Sequence, residues 1–126
     1  MSVVGIGTDI IEISRLEKMS EAALAKLAVR VLTPAELKHF QQLKSPIPYL
    51  AKRWAGKEAT AKALGTGIAA GVSFQHIEIQ SLATGQPVLV LTDEALAKAQ
   101  ALHGESWHIS LSDEKAYATA FVVISS

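Results

Sequence analysis

An α+β fold, with a mainly antiparallel sheet and helices packed on one side, is the architecture the sequence predicts. Three observations carry it. The elements run strand, helices, strand pair, helix, strand pair, which is not the βαβα alternation of a doubly wound sheet. The 126 residues amount to one domain, 1–126, and at 49% apolar they can bury a core. The last two strand-like segments are separated by only a short polar turn, which makes an antiparallel pair.

Residues 3–11 read as a β-branched strand in which Gly5 and Gly7 permit close backbone approach. Ser14 with Glu17, and then Ser20, offer helix starts, and residues 22–31 are Ala- and Leu-rich and helical. Leu32-Thr33-Pro34-Ala35-Glu36 is a stronger start signal. Thr33 serves as N-cap, Pro34 opens the first turn, and Glu36 closes a capping box. A further helix begins near Ser45-Pro46, runs through 49–64 and stops at Gly65-Thr66-Gly67. Residues 74–79 alternate as a strand with Ile77 and Ile79 on one face, and Gly85-Gln86-Pro87 turns the chain into 88–91. Thr92-Asp93-Glu94 caps an Ala-rich helix ending at Gly104. Residues 107–112 and 117–124 finish the chain as two strands joined by 113–116.

Composition narrows the function classes. Twelve basic against twelve acidic side chains leave no net charge, which argues against a bulk nucleic-acid binder. Cysteine is absent, so there is no thiolate metal site, no disulfide framework and no Cys nucleophile. No run approaches the roughly 18 apolar residues of a spanning helix, and the start of the chain has no signal-peptide pattern. A cytoplasmic protein without membrane contact is the expectation. Charge is nonetheless uneven: residues 1–62 carry ten basic and six acidic side chains, and residues 63–126 two and six. Lys38, Lys44, Lys52, Arg53, Lys57 and Lys62 are opposed within 38–62 only by Glu58. Such a surplus suits a phosphate-rich ligand or an acidic partner, and equally a solvated helix face.

The helix at 49–64 holds the candidate chemistry. Glu58 and Lys62 stand one turn apart and share a face, either as a surface ion pair or as a site. A carboxylate beside lysines can hold Mg²⁺ and phosphate oxygens together, the acid taking the cation and the ammonium the phosphate. Mg²⁺ commonly takes one or two carboxylates, and Asp9, at the end of a glycine-bearing strand, is the second candidate; its alternative is a turn or cap. In 107–112, Trp107, Ile109 and Leu111 point one way and His108, Ser110 and Ser112 the other. That polar face is either wet or hydrogen-bonds a phosphate. His39, His76 and His103 receive no role. Neither a zinc motif nor a nucleophile elbow is present.

Together these segments resemble the holo-[acyl-carrier-protein] synthases, the short 4′-phosphopantetheinyl transferases, over nearly the whole chain. The resemblance lies in Gly5-Ile6-Gly7-Thr8-Asp9-Ile10, in Leu32-Thr33-Pro34-Ala35-Glu36 and in the helix from Arg53 to Gly67. His108-Ile109-Ser110-Leu111-Ser112 followed by Tyr117-Ala118 completes it. It implies Mg²⁺-dependent transfer from coenzyme A to a serine hydroxyl of apo acyl carrier protein, giving adenosine 3′,5′-bisphosphate. It also implies an α+β fold and a homotrimer with sites at subunit boundaries. Asp9 and Glu58 match metal-ligand positions, Lys62 a lysine near the pyrophosphate, and Arg15 a carrier-contacting position. Lys44, Arg53, Gly65, His108 and Ser110 become candidates for coenzyme A, with Lys52 beside them. Lys18, Lys26 and Arg30 add charge to the carrier side. The nucleophile belongs to the partner, and the base is water at the metal or, second, His108. Gln86 departs from the basic residue common in that turn, Trp54 stands where Phe is common, and Asp113 replaces a histidine of some members. The alternatives are a metal-independent nucleotide-binding module, another Mg²⁺-dependent phosphotransferase or nuclease, and a structural trimer subunit.

Overall fold

In the computed structural model, which describes residues 2–126, two antiparallel sheets share one helical layer. β1 (Val3–Glu12) leads into the short α1 (Ile13–Glu17), then α2 (Glu21–Val31), α3 (Pro34–Phe40) and the long α4 (Pro46–Ala63). A 3-10 turn, Phe74–His76, precedes β2 (Ile77–Ser81) and β3 (Pro87–Leu91). α5 (Asp93–Ala101), β4 (Ser106–Asp113) and β5 (Tyr117–Ser125) follow. The strands order as β1-β5-β4 in one sheet and β2-β3 in the other, all pairs antiparallel. The expected single sheet is thus divided. Trp107 on β4 bridges the division, its indole N–H donating to the Leu89 carbonyl of β3 at 3.1 Å.

Local chemistry explains most boundaries. Ser20 caps α2, accepting from the Ala23 amide, and Thr33 and Glu36 form the capping box at α3. Gly65 and Gly67, both at positive φ, end α4 as expected. Four local expectations need correction. Ser14 caps nothing; its hydroxyl donates to Glu12 at 2.7 Å, and α1 starts without a side-chain cap. Phe74–His76 is a 3-10 turn and not strand, because Ser73 and His76 cap it reciprocally. The Thr92 hydroxyl donates to the His76 carbonyl and does not cap α5. That helix ends at Ala101, with His103 taking the left-handed conformation expected of a glycine.

The core lies between α4 and the inner face of the larger sheet. Ala51, Ala55, Ala59 and Ala63 form a shallow ridge, buried against Val122 and Ile124. The ridge lets α4 lie almost directly on β1. A Cβ built on Gly7 would stand 1.9 Å from the Ala59 carbonyl oxygen, and one on Gly5 2.3 Å from that of Ala63. Backbone atoms cannot step aside as a flexible side chain can. Gly7→Ala should therefore cost at least about 1–3 kcal/mol, the usual range for overpacking, read as a lowered urea midpoint. An unchanged midpoint would mean that α4 can withdraw without loss.

The outer face of the same sheet is uncovered. Ile6, Thr8 and Ile10 of β1 lie beside Val123, Phe121 and Thr119 of β5, and these beside His108, Ser110 and Ser112 of β4. Ile6, Ile10 and Phe121 are among the most exposed large apolar side chains. Among the described residues no helix is long and apolar enough to cross a membrane.

Candidate active site

Asp9 and Lys62 meet where β1 crosses α4. Asp9 pairs in register with Ala120, a buried inner-face residue, so its carboxylate is directed toward the helix layer. Lys62 Nζ donates to Asp9 Oδ1 at 2.9 Å and to the Thr8 carbonyl at 3.0 Å. Glu58, one turn earlier on α4, is half-buried. Burial lifts its carboxyl above the usual carboxylate range, and the nearby Asp9 charge pushes the same way. Lys62, the Trp54 indole and Arg30 oppose that rise. Two carboxylates from two rigid elements thus face one ammonium group.

That donor set fits Mg²⁺, a hard cation that takes carboxylate, water and phosphate oxygens. Mutual repulsion between the acids is what a divalent ion would relieve. Among the described residues no group of three or more His, Asp or Glu side chains is placed to hold a metal ion by itself. An ion held by Asp9 and Glu58 would complete its shell with ligand oxygens and water.

The remaining candidates are spread more widely, Gly65 adjoining Lys62 through its amide, which donates to the Lys62 carbonyl at 3.0 Å. His108 and Ser110 are exposed on the outer sheet face, two strands from β1, a lateral separation of roughly 10 Å, and on the face opposite Asp9. His108 helps line a small cavity with Gln86, Pro87 and Trp107. Lys44 is exposed in the turn between α3 and α4, and Gly65 is exposed at the end of α4. Arg53 sits about 140° around α4 from Glu58. It is buried, its guanidinium 4.5 Å from the Tyr49 ring centroid and its Nη2 donating to Ser81 at 3.0 Å. These groups border a cavity of about 390 Å³ that Glu36, His39 and Glu78 also line. Arg15 lies over the Trp54 ring, 5.3 Å from its centroid.

The expected basic face is smaller than the sequence suggests. Lys52 pairs with Asp113 at 2.9 Å, and Lys57 is wholly buried. Lys57 Nζ donates to the Val31 carbonyl at 2.7 Å, to Glu36 at 2.5 Å and to the Phe74 carbonyl at 3.2 Å, using all its protons. Burial lowers its pKa although Glu36 resists. Glu36 in turn accepts from the Thr33 and Ile79 amides, both at 2.8 Å. One ion pair thus ties α4 to the end of α2, the start of α3, the 3-10 turn and β2. The sequence carries a signal for it: Lys57 lies seven residues from both Leu50 and Leu64, on the buried stripe.

The profile of the 4′-phosphopantetheinyl transferase superfamily matches residues 5–122. A holo-[acyl-carrier-protein] synthase of Shewanella frigidimarina is 54% identical over 126 residues, all of both chains. That of Yersinia enterocolitica is 49% identical over the same length. Among solved structures, the Neisseria meningitidis synthase superposes with a TM-score of 0.88 at 41% identity, covering 99% of this chain and 100% of that one. The Bacillus anthracis synthase, in complex with CoA (3′,5′-ADP), gives 0.81 at 39% identity, covering 97% and 96%. Fold, full-length identity and the convergence of the two acids with Lys62 agree, and the chain belongs to the holo-[acyl-carrier-protein] synthases of the 4′-phosphopantetheinyl transferase superfamily.

Proposed function

We propose that this protein transfers the 4′-phosphopantetheine group of coenzyme A to a serine hydroxyl of apo acyl carrier protein. The observation that carries the reading is the meeting of Asp9, Glu58 and Lys62 at the β1–α4 contact in a chain of this family. In the reaction the serine oxygen forms a bond to the phosphorus bearing the pantetheine arm. The bond from that phosphorus to the bridging oxygen breaks, adenosine 3′,5′-bisphosphate departs, and the serine proton passes to a base. Such transfer needs positioning and charge neutralisation more than covalent help from the protein. Asp9 and Glu58 would hold Mg²⁺, which when bound neutralises pyrophosphate oxygens. Lys62 is anchored by Asp9 and Thr8 yet half-exposed, so its ammonium can follow charge onto the departing bisphosphate.

A homotrimer accounts for the placement of His108 and Ser110. Neither shares a face with Asp9 in its own chain, whereas a neighbouring copy set against the open apolar sheet could present them to coenzyme A. Ile6, Ile10 and Phe121 would then be covered. Sedimentation equilibrium at three times the chain mass supports this; a monomer at micromolar concentration removes it. His108, with Lys44, Arg53, Gly65 and Ser110, belongs to the coenzyme A side of the reading. The cytoplasm is the proposed location.

The carrier side is α1 and α2. Lys26, Val29 and Arg30 are exposed along α2, and Arg15 projects over Trp54. An acidic carrier complements such a surface. Arg15→Glu should raise the KM for carrier about tenfold while coenzyme A affinity holds. Equal losses for both would contradict this division of surfaces.

The deciding experiment is intact-mass analysis of apo acyl carrier protein after incubation with this protein, coenzyme A and Mg²⁺, beside a chelated control. A gain of about 340 Da, one phosphopantetheine arm, should appear only with metal. A competent carrier left unmodified while coenzyme A binds equally well in chelator would favour a nucleotide-binding module.

A further inference from the structure

We propose that Trp54 is a positioning residue for Glu58, its indole N–H donating to the carboxylate oxygen turned away from the cation. This rests on the reading of Asp9 and Glu58 as the groups that hold Mg²⁺. Trp54 and Glu58 are four residues apart on α4 and share a face. Helical side chains lean toward the N-terminus of their helix, so Glu58 leans back over the turn that carries Trp54.

The indole nitrogen is buried and has no hydrogen-bond partner. Buried donors of this kind are seldom left unpaired, and an orphan beside an active site calls for an acceptor. The other tryptophan offers a contrast, since Trp107 donates to the Leu89 carbonyl. Arg15 covers the ring 5.3 Å from its centroid and limits its swing. A turn of the Glu58 carboxylate toward the preceding helical turn would let it accept from the indole. That bond would fix which oxygen faces Asp9. Partners of this outer kind orient metal-binding carboxylates, and losing one typically weakens metal binding 10- to 100-fold.

Trp54→Phe keeps an aromatic ring under Arg15 and removes only the donor edge. The probe is Mn²⁺, titrated into protein saturated with coenzyme A, with free ion read by electron paramagnetic resonance. The variant should bind Mn²⁺ roughly 10- to 100-fold more weakly, with coenzyme A affinity in chelator and thermal midpoint unchanged. A second readout needs no variant at Trp54. In the proton–nitrogen spectrum of the wild-type chain, the indole resonance that is not Trp107 should shift on Glu58→Gln and on adding Mg²⁺ with coenzyme A. Mn²⁺ affinity within threefold of wild type, or an indole resonance indifferent to Glu58→Gln, overturns the proposal. So does a parallel loss of coenzyme A affinity, which would mark Trp54 as general packing. If wild-type protein binds Mn²⁺ and coenzyme A but modifies no carrier, the transferase reading fails while these two readouts still decide the role of Trp54.

Discussion

Turnover of carrier protein should fall on the order of a hundred- to a thousand-fold in Glu58→Gln, with the fold intact. The magnitude is the rate equivalent of the several kcal/mol that a metal ion contributes to such reactions, at 1.36 kcal/mol per tenfold. Fold survival follows from the position of Glu58. It is half-buried at the rim of α4, and none of the hydrogen bonds that tie the elements together ends on it. Glutamine keeps its size and removes the charge. Relief of repulsion with Asp9 even favours the variant in the metal-free state, since that repulsion contributes to the raised Glu58 pKa. The check is metal-dependent turnover by mass spectrometry beside a urea titration. Full activity would remove Glu58 from the metal.

Glu36→Ala should give the largest loss of stability, about 3–5 kcal/mol, the usual cost of breaking a buried ion pair by removing one partner. The loss has three parts. Lys57 keeps its ammonium in the core with one of its three acceptors gone, and the Thr33 and Ile79 amides lose theirs. Chemical denaturation measures it. Glu36→Gln combined with Lys57→Met should recover part of the deficit, because the pair then leaves no charge of its own buried and the amide oxygen still serves one backbone donor. A double variant less stable than Glu36→Ala would show that the ammonium is needed for its bonds to Val31 and Phe74.

The element order and most boundaries are legible in the sequence because local chemistry sets them. Thr33-Pro34 with Glu36 starts one helix and Gly65 stops another, and neither signal depends on the rest of the chain. Asp9, Glu58 and Lys62 stand out for a related reason: helical spacing and glycine neighbours make unusual settings for charge. Pairing of the first strand with the last, Gly5 beside Ile124, is invisible locally, since register between distant strands is decided by tertiary packing. The division into two sheets escapes for the same reason. Lys57 is misread as surface because a helical lysine nearly always is one. Its acceptors come from three other segments, and only the Leu50 and Leu64 spacing hints at them. Arg53 is similar, since Tyr49 is a helical neighbour but Ser81 lies in another element.

The bond from the Ile79 amide to Glu36 has a bearing on behaviour in a crowded cell. β2 pairs only with β3, so its other side is an unpaired edge, and exposed edges invite strands of other molecules to add on. Ile79 sits near the middle of that edge, where an added strand would have to pair. The amide that an incoming strand would need is already held by a carboxylate, and the carboxylate is locked from behind by Lys57. A folding intermediate in which α3 has not yet docked would lack this guard. Aggregation during refolding should therefore track the docking of α3, and a chain weakened at Glu36 is exposed to self-association as well as to unfolding.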